Sequence, residues 1–293
     1  MSLESLIAAS QSLNASVEAL AALGAELRLR RDGAEADPRV RELLQQIVQG
    51  IDPNLLEGVD AQQEAVVLAF ITAFFRQAVD LLENPERKPG WRFDDPIVLQ
   101  AQGQASRLVV RGIATMAARE PGFREVLQRP GAFLDVGTGV GLLAIEAART
   151  WPALKIVGID IWEPALALAR RNLAASDVAD RVELRTQDVQ HLSDRDHYAL
   201  AWLSGPFIPA EIVKQSMARI HDALQPGGWL VFGLYAPQSN LLGEALTNLR
   251  VVRSGGHPWR PDEALALLRS AGFAQLNAHS PNPPVQFIVG RKD

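Results

Sequence analysis

The sequence predicts an α/β fold built on a parallel sheet, preceded by an all-helical region. Three observations carry this. Before about residue 130 every periodic stretch has helical spacing; after it, short apolar runs alternate with amphipathic ones; and one apolar run passes straight into a glycine-rich turn that opens a helix. The chain's 293 residues allow roughly two domains. With 47 % hydrophobic and 22 % charged residues, the composition is that of a globular protein and argues against disorder, collagen and coiled coil.

The helical region is read as follows. Ser2 caps a stretch in which Leu3, Leu6, Ile7 and Leu13 recur at helical spacing. A second stretch, Val17 to Leu29, is broken by Gly24. Pro38 opens a short helix over Arg39–Gln49, ended by Gly50 and Pro53. Ala61–Leu82 reads as a long helix buried on most of its circumference, and its Ala65–Phe75 run suits a domain core or a dimer interface. Asn84–Pro96, rich in proline and charge, reads as a loop, and Ile97–Arg119 as a helix. The expected boundary separates a helical lid or dimerisation domain, residues 1–96, from a sheet domain, residues 97–293.

The sheet domain alternates. Strands are expected at Ala132–Val136, Lys155–Asp160, Val182–Thr186, Tyr198–Leu203, Trp229–Tyr235, Ala274–Ala278 and Val285–Val289. Helices are expected at Gly141–Arg149, Pro164–Ala175, Ala210–Leu224 and Pro261–Ala271.

Composition also excludes chemistry. The chain has no cysteine, so it holds no disulfide, thiolate zinc site, iron–sulfur cluster or cysteine nucleophile, and no metal site is expected. A net charge of -5 with no basic stripe argues against a nucleic-acid partner. The longest apolar run, Ala65–Phe75, is shorter than the ~18 residues of a membrane span, and Glu4 stands where a leader peptide would carry positive charge. The expectation is therefore a cytoplasmic chain with no membrane partner.

The motif richest in chemistry is Phe133-Leu-Asp135-Val-Gly137-Thr138-Gly139-Val-Gly141. Glycines let the backbone approach a ligand closely, and the helix N-terminus offers free N–H groups to an anion. A dinucleotide fingerprint would need its third glycine at position 142, which is Leu142. Two acids follow at strand ends: Asp160 in Val157-Gly-Ile-Asp160-Ile161-Trp162 and Asp188 in Thr186-Gln-Asp188-Val189. A later turn reads Leu224-Gln-Pro-Gly-Gly228-Trp.

From about Gly131 onward, these four features in this order resemble a class I S-adenosylmethionine-dependent methyltransferase of the small-molecule type. The resemblance implies a Rossmann-like sheet of seven strands, mostly parallel, with the last antiparallel. It implies S-adenosylmethionine as cofactor. Asp135, Gly137, Thr138, Gly139 and Gly141 would wrap its methionine part. Asp160 would take both ribose hydroxyls, Asp188 the adenine amino group, and Ile161, Trp162 and Val189 the adenine faces. Ser204, closing the fourth strand, would complete the cofactor set.

The segment Ser204-Gly-Pro-Phe207 lacks the acid or amide usual in amino-methylating enzymes. It also lacks the histidine, followed by an acid and tryptophan, of plant-type O-methyltransferases. The best base candidate is His257, in Arg253-Ser-Gly-Gly-His257-Pro-Trp259. Trp91, Phe93, Gln104, Phe207 and Trp259 are candidate acceptor contacts, and Gln100 shares a helix face with Gln104. Each has a plainer reading as packing or surface. The expected activity is methyl transfer to a small organic acceptor in natural product biosynthesis, to oxygen ahead of nitrogen or carbon, by a chain that pairs with a second copy through its N-terminal helices. The alternatives are a cofactor-binding regulator or scaffold without transfer activity, and a methyltransferase acting on protein or RNA.

Overall fold

The structure, a computed structural model, describes residues 2–282 and 285–293. The chain forms two units, residues 1–85 and 86–293. The linker after Pro85 therefore falls with the sheet unit, whereas the sequence had placed it with the helices.

The first unit contains α1 (Leu3–Asp32), α2 (Pro38–Ile51) and α3 (Ala61–Glu83). Two expectations change here. The stretch capped by Ser2 and the stretch from Val17 to Leu29 are one helix, and it is not broken at Gly24. Gly24 is a packing notch: a Cβ there would stand 3.0 Å from Ile71 Cγ2 on α3, so tertiary contact overrides glycine's poor helix propensity. And α3 is not buried all round. Leu68 and Ile71 pack with Leu27, while Val79 and Leu82 are exposed. By length and mean hydropathy alone, α1 and α3 are each long and apolar enough to cross a bilayer, which counting uninterrupted apolar residues had not shown. The carboxylate of buried Glu64 on α3 is paired with Arg30 of α1 at 2.8 Å.

The second unit opens with an irregular segment, then α4 (Pro96–Ala117) and α5 (Pro121–Gln128). It continues through β1 (Gly131–Val136), α6 (Leu142–Thr150), β2 (Leu154–Asp160), α7 (Glu163–Ala174), β3 (Val182–Thr186), β4 (Tyr198–Ser204), α8 (Ala210–Ala223) and β5 (Leu224–Tyr235). It closes with α9 (Leu241–Arg253), α10 (Pro261–Ser270), β6 (Ala274–Asn282) and β7 (Val285–Arg291). The sequence reading lacked α5 and α9. The seven strands form one sheet in the order β3-β2-β1-β4-β5-β7-β6, and β7 runs antiparallel to both of its neighbours.

Both faces of the sheet are covered, which is why its strands are almost continuously apolar. Alternate residues serve opposite cores. Phe133, Leu200 and Val231 join α4, α5 and α6 on one side. Leu134, Ala201 and Leu230 join α8 and α10 on the other. The strand order reverses between β1 and β4, so the crevice for a ligand lies outside the carboxyl ends of these strands.

Candidate active site

The turn after β1 is held from below. Gly137 and Thr138 both donate their backbone N–H to the Ile159 carbonyl of β2, at 2.9 and 3.1 Å. Gly137 and Gly139 have φ of 76° and 57°, a region costly for any side chain. A Cβ on Gly137 would find only Ile208 Cδ1, at 3.9 Å, and one on Gly139 only the Gly137 carbonyl, at 4.0 Å. The glycines thus leave open space above the turn. Asp135 and Thr138 lie beneath it: Thr138 Oγ1 donates to Asp135 Oδ2 at 2.7 Å, and both residues are buried. Burial pushes the Asp135 carboxyl up to about 7, opposed by the Thr138 hydrogen bond and reinforced by the charge of Asp160.

Asp160 ends β2 beside this space. Its Oδ2 accepts from Gly139 N–H at 2.8 Å and its Oδ1 from Trp162 N–H at 2.9 Å. Burial raises its pKa, and the N–H groups of Trp162, Gly139 and Ile161 pull it back down. A carboxylate has about four lone-pair sites, so each oxygen retains room for a hydroxyl donor. Across the sheet edge, Asp188 accepts from Gln190 N–H through Oδ1 at 2.8 Å. Ile161 is 67 % exposed, an apolar side chain left on the rim, while Val189 is buried.

An aromatic group lies over the same edge. Trp91 meets Phe93 and Phe207 edge-on, at centroid distances of 5.4 and 5.5 Å. Trp162 donates its indole N–H to the Phe93 carbonyl at 2.8 Å. At the other end, Gly90 N–H donates to the Arg253 carbonyl at 3.2 Å. Residues 90–93 therefore form a strap running from the end of α9, past Phe207, to Trp162. Sequence reading found the aromatics; the strap depends on partners far away in the chain.

Other candidates sit differently. Gln104 accepts from Arg107, which pairs with Glu146 of α6 at 2.7 Å. Gln100 exchanges hydrogen bonds with Asn172 of α7, whose amide also donates to the Val140 carbonyl at 2.9 Å. Gln100 thus joins α4 directly to α7, while Gln104 props Arg107, the α4 side chain that reaches α6. Trp259 is buried against Phe232, so it belongs to the core as well as to a cleft wall. Ser204 ends β4, half-buried, where the following turn begins. His257 Nε2 lies 3.1 Å from both oxygens of Glu263, and its ring meets Trp259 edge-on at 4.7 Å. Glu263 was missed by sequence reading, although it stands in the first turn of the helix that follows His257. Among the described residues, no group of three acids or histidines is placed to hold a metal.

Comparison with known proteins agrees with this fold. Residues 133–228 match the methyltransferase domain family. The tRNA1(Val) (adenine(37)-N6)-methyltransferase of Vibrio campbellii is 35 % identical over 96 residues, 31 % of this chain and 40 % of that protein. The S-adenosyl-L-methionine-dependent methyl transferase PigF of Serratia sp. is 26 % identical over 170 residues, 55 % of this chain and 48 % of that protein. The chain thus spans less than half the length of these curated relatives. The structure of human N-acetylserotonin methyltransferase with SAM shares the fold at a TM-score of 0.69 and 16 % identity, over 97 % of both chains. The strand order and the matched domain together show a class I methyltransferase fold that carries a methyltransferase domain over residues 133–228.

Proposed function

We propose that the chain transfers a methyl group from S-adenosylmethionine to a small organic acceptor, with oxygen the favoured atom. The observation that carries this is Asp160. Its two oxygens are anchored by backbone N–H groups beside the open glycine turn, and each keeps a lone pair for one of two adjacent hydroxyls. When bound, S-adenosylmethionine supplies an electrophilic methyl on a sulfonium. The chain's own residues do the rest. Asp160 and Asp188 fix the nucleoside end, Ile161, Trp162 and Val189 give it apolar contact, and the turn from Gly137 to Gly141 receives the amino-acid end. The strap and Phe207 exclude water from the end of β4.

A small acceptor suits the aromatic group at Trp91, Phe93 and Phe207 and the net charge of -5, which works against a polyanionic acceptor. The fold-level likeness to human N-acetylserotonin methyltransferase points the same way, and natural product biosynthesis is the setting we favour. The tRNA methyltransferase relative aligns over only 31 % of this chain, so it supports a shared cofactor domain more than a shared acceptor. We further infer pairing with a second copy through the N-terminal unit, where Leu3, Leu6 and Leu13 of α1 are all more than 60 % exposed. Sedimentation tests this: a dimer that α1 substitutions such as L6E and L13E convert to monomer is expected, and a monomeric wild type contradicts it.

The test of function is product analysis. Purified protein incubated with S-adenosylmethionine and a panel of phenols, alcohols and amines is expected to release S-adenosylhomocysteine with at least one phenol. Binding of the cofactor without turnover on any acceptor would favour the regulator reading.

A further inference from the structure

A cleft opens between the carboxyl end of β5, the inner face of α9 and the loop leading to α10. Pro206, Tyr235, Thr247, His257 and Trp259 line it. Pro206 belongs to the turn that ends β4, so the cleft adjoins the end of the sheet where methyl transfer is placed. Two glycines make this possible. A Cβ on Gly256 would stand 1.9 Å from the Pro206 carbonyl oxygen, and one on Gly255 would stand 2.8 Å from Gly90 Cα. Only bare backbone lets the loop lie this close to both the strap and the turn.

We propose that this cleft takes the acceptor, that the acceptor is a phenol, and that His257, held by Glu263, is its general base. The proposal rests on the methyl-transfer reading. Both Glu263 oxygens face Nε2 at 3.1 Å, so the neutral ring places its proton on Nε2 and donates it to the carboxylate. That leaves Nδ1 bare, the only ring atom able to accept a proton. Trp259 packs edge-on against the ring and fixes its plane. The imidazole is 37 % exposed, so it is accessible to a ligand while restrained on two sides.

The acceptor class follows from proton affinities. A phenol ionises at roughly 10, whereas an alcohol's O–H is closer to that of water, at roughly 15.7, so a phenol yields its proton to a ring nitrogen far more readily. In the step itself the phenol's proton passes to His257 Nδ1, and its oxygen lone pair forms the bond to the methyl carbon. The carbon–sulfur bond breaks with its electron pair going to sulfur. The products are the methyl ether, S-adenosylhomocysteine and an imidazolium paired with Glu263. In this arrangement His257 is the catalytic residue and Glu263 a positioning residue.

The probe is 4-nitrophenol, whose anion absorbs where the neutral form does not. At a pH below the probe's own pKa, wild-type protein is expected to raise the phenolate band above that of free probe. H257N should abolish the increase, and E263Q should reduce it several-fold. Nitrogen-15 spectra should show Nε2 of His257 protonated and Nδ1 bare in the wild type, and a mixture of the two in E263A. All three variants should bind S-adenosylhomocysteine within twofold of wild type by calorimetry. A wild type without the band, or a band that survives in H257N, overturns the proposal. Failure of wild-type protein to bind S-adenosylhomocysteine would instead overturn the methyl-transfer reading, and the probe band is read without cofactor.

Discussion

The two ends of the β1–β5 crevice are built by opposite means. At the β1–β2 end, backbone does the work. Glycines leave space, N–H groups from Gly139 and Trp162 orient Asp160, and one continuous stretch of sequence supplies nearly everything. At the β4–β5 end, side chains do the work. Trp91, Phe207, His257, Trp259 and Glu263 come from segments distant in sequence, and the core side chain Trp259 doubles as a wall. A backbone site is robust to side-chain change and specific for a constant ligand. A side-chain site can be rebuilt for a new acceptor while the cofactor end stays unchanged.

The largest effect expected to sharpen this contrast is one of pH on stability. Asp135 is raised to about 7 in the folded chain from an ordinary 3.8. Below about pH 4 both states hold its proton. Between about 4 and 7 only the folded state does, so stability falls as pH rises through this window and is level above it. The shift of about three units corresponds to a loss on the order of 4 kcal/mol. Urea unfolding across this range should show the decline in wild type and a much flatter profile in D135N; equal slopes would contradict the burial of a poorly solvated carboxyl. Next, W259A removes a fully packed indole and should cost roughly 3–5 kcal/mol in unfolding free energy while cofactor affinity, measured where the variant is folded, stays within twofold. An affinity collapse there would mean that the two ends are not separable. G158A is the complementary change under the cofactor turn. Its Cβ would meet Thr138 Oγ1 at 2.6 Å, costing roughly 1–3 kcal/mol of stability and weakening cofactor binding as the turn shifts. The smallest effect is Q100A, which removes the exchange with Asn172 and should cost roughly 1 kcal/mol in thermal unfolding with no change in cofactor affinity.

What could be read from sequence follows the same division. The strands were legible because both sheet faces are buried and each strand is a short apolar run. The glycine turn and Asp160 were legible because they are contiguous. Gly24 misled because a local propensity lost to a helix contact. The helix α9 was overlooked because its apolar residues Leu241, Leu242 and Leu246 face outward, and its clearest signal is a cap, Asn240 accepting from Gly243 N–H at 2.8 Å. The short α5 was announced only by Pro121 at its first turn. Asp135 and Thr138 were expected against the cofactor, but nothing in sequence could show that their side chains bond to one another below the turn. Glu263 and the strap depend on folding, because their partners are set by where α10 and the linker come to rest.

The central claim is that Asp160 holds the ribose of S-adenosylmethionine. Calorimetric titration of the cofactor into wild type and D160A tests it most directly. Loss of two charge-assisted hydrogen bonds should weaken binding by about 2–4 kcal/mol, roughly 30- to 1000-fold, with the variant still folded. Equal affinity in the two proteins would contradict the assignment.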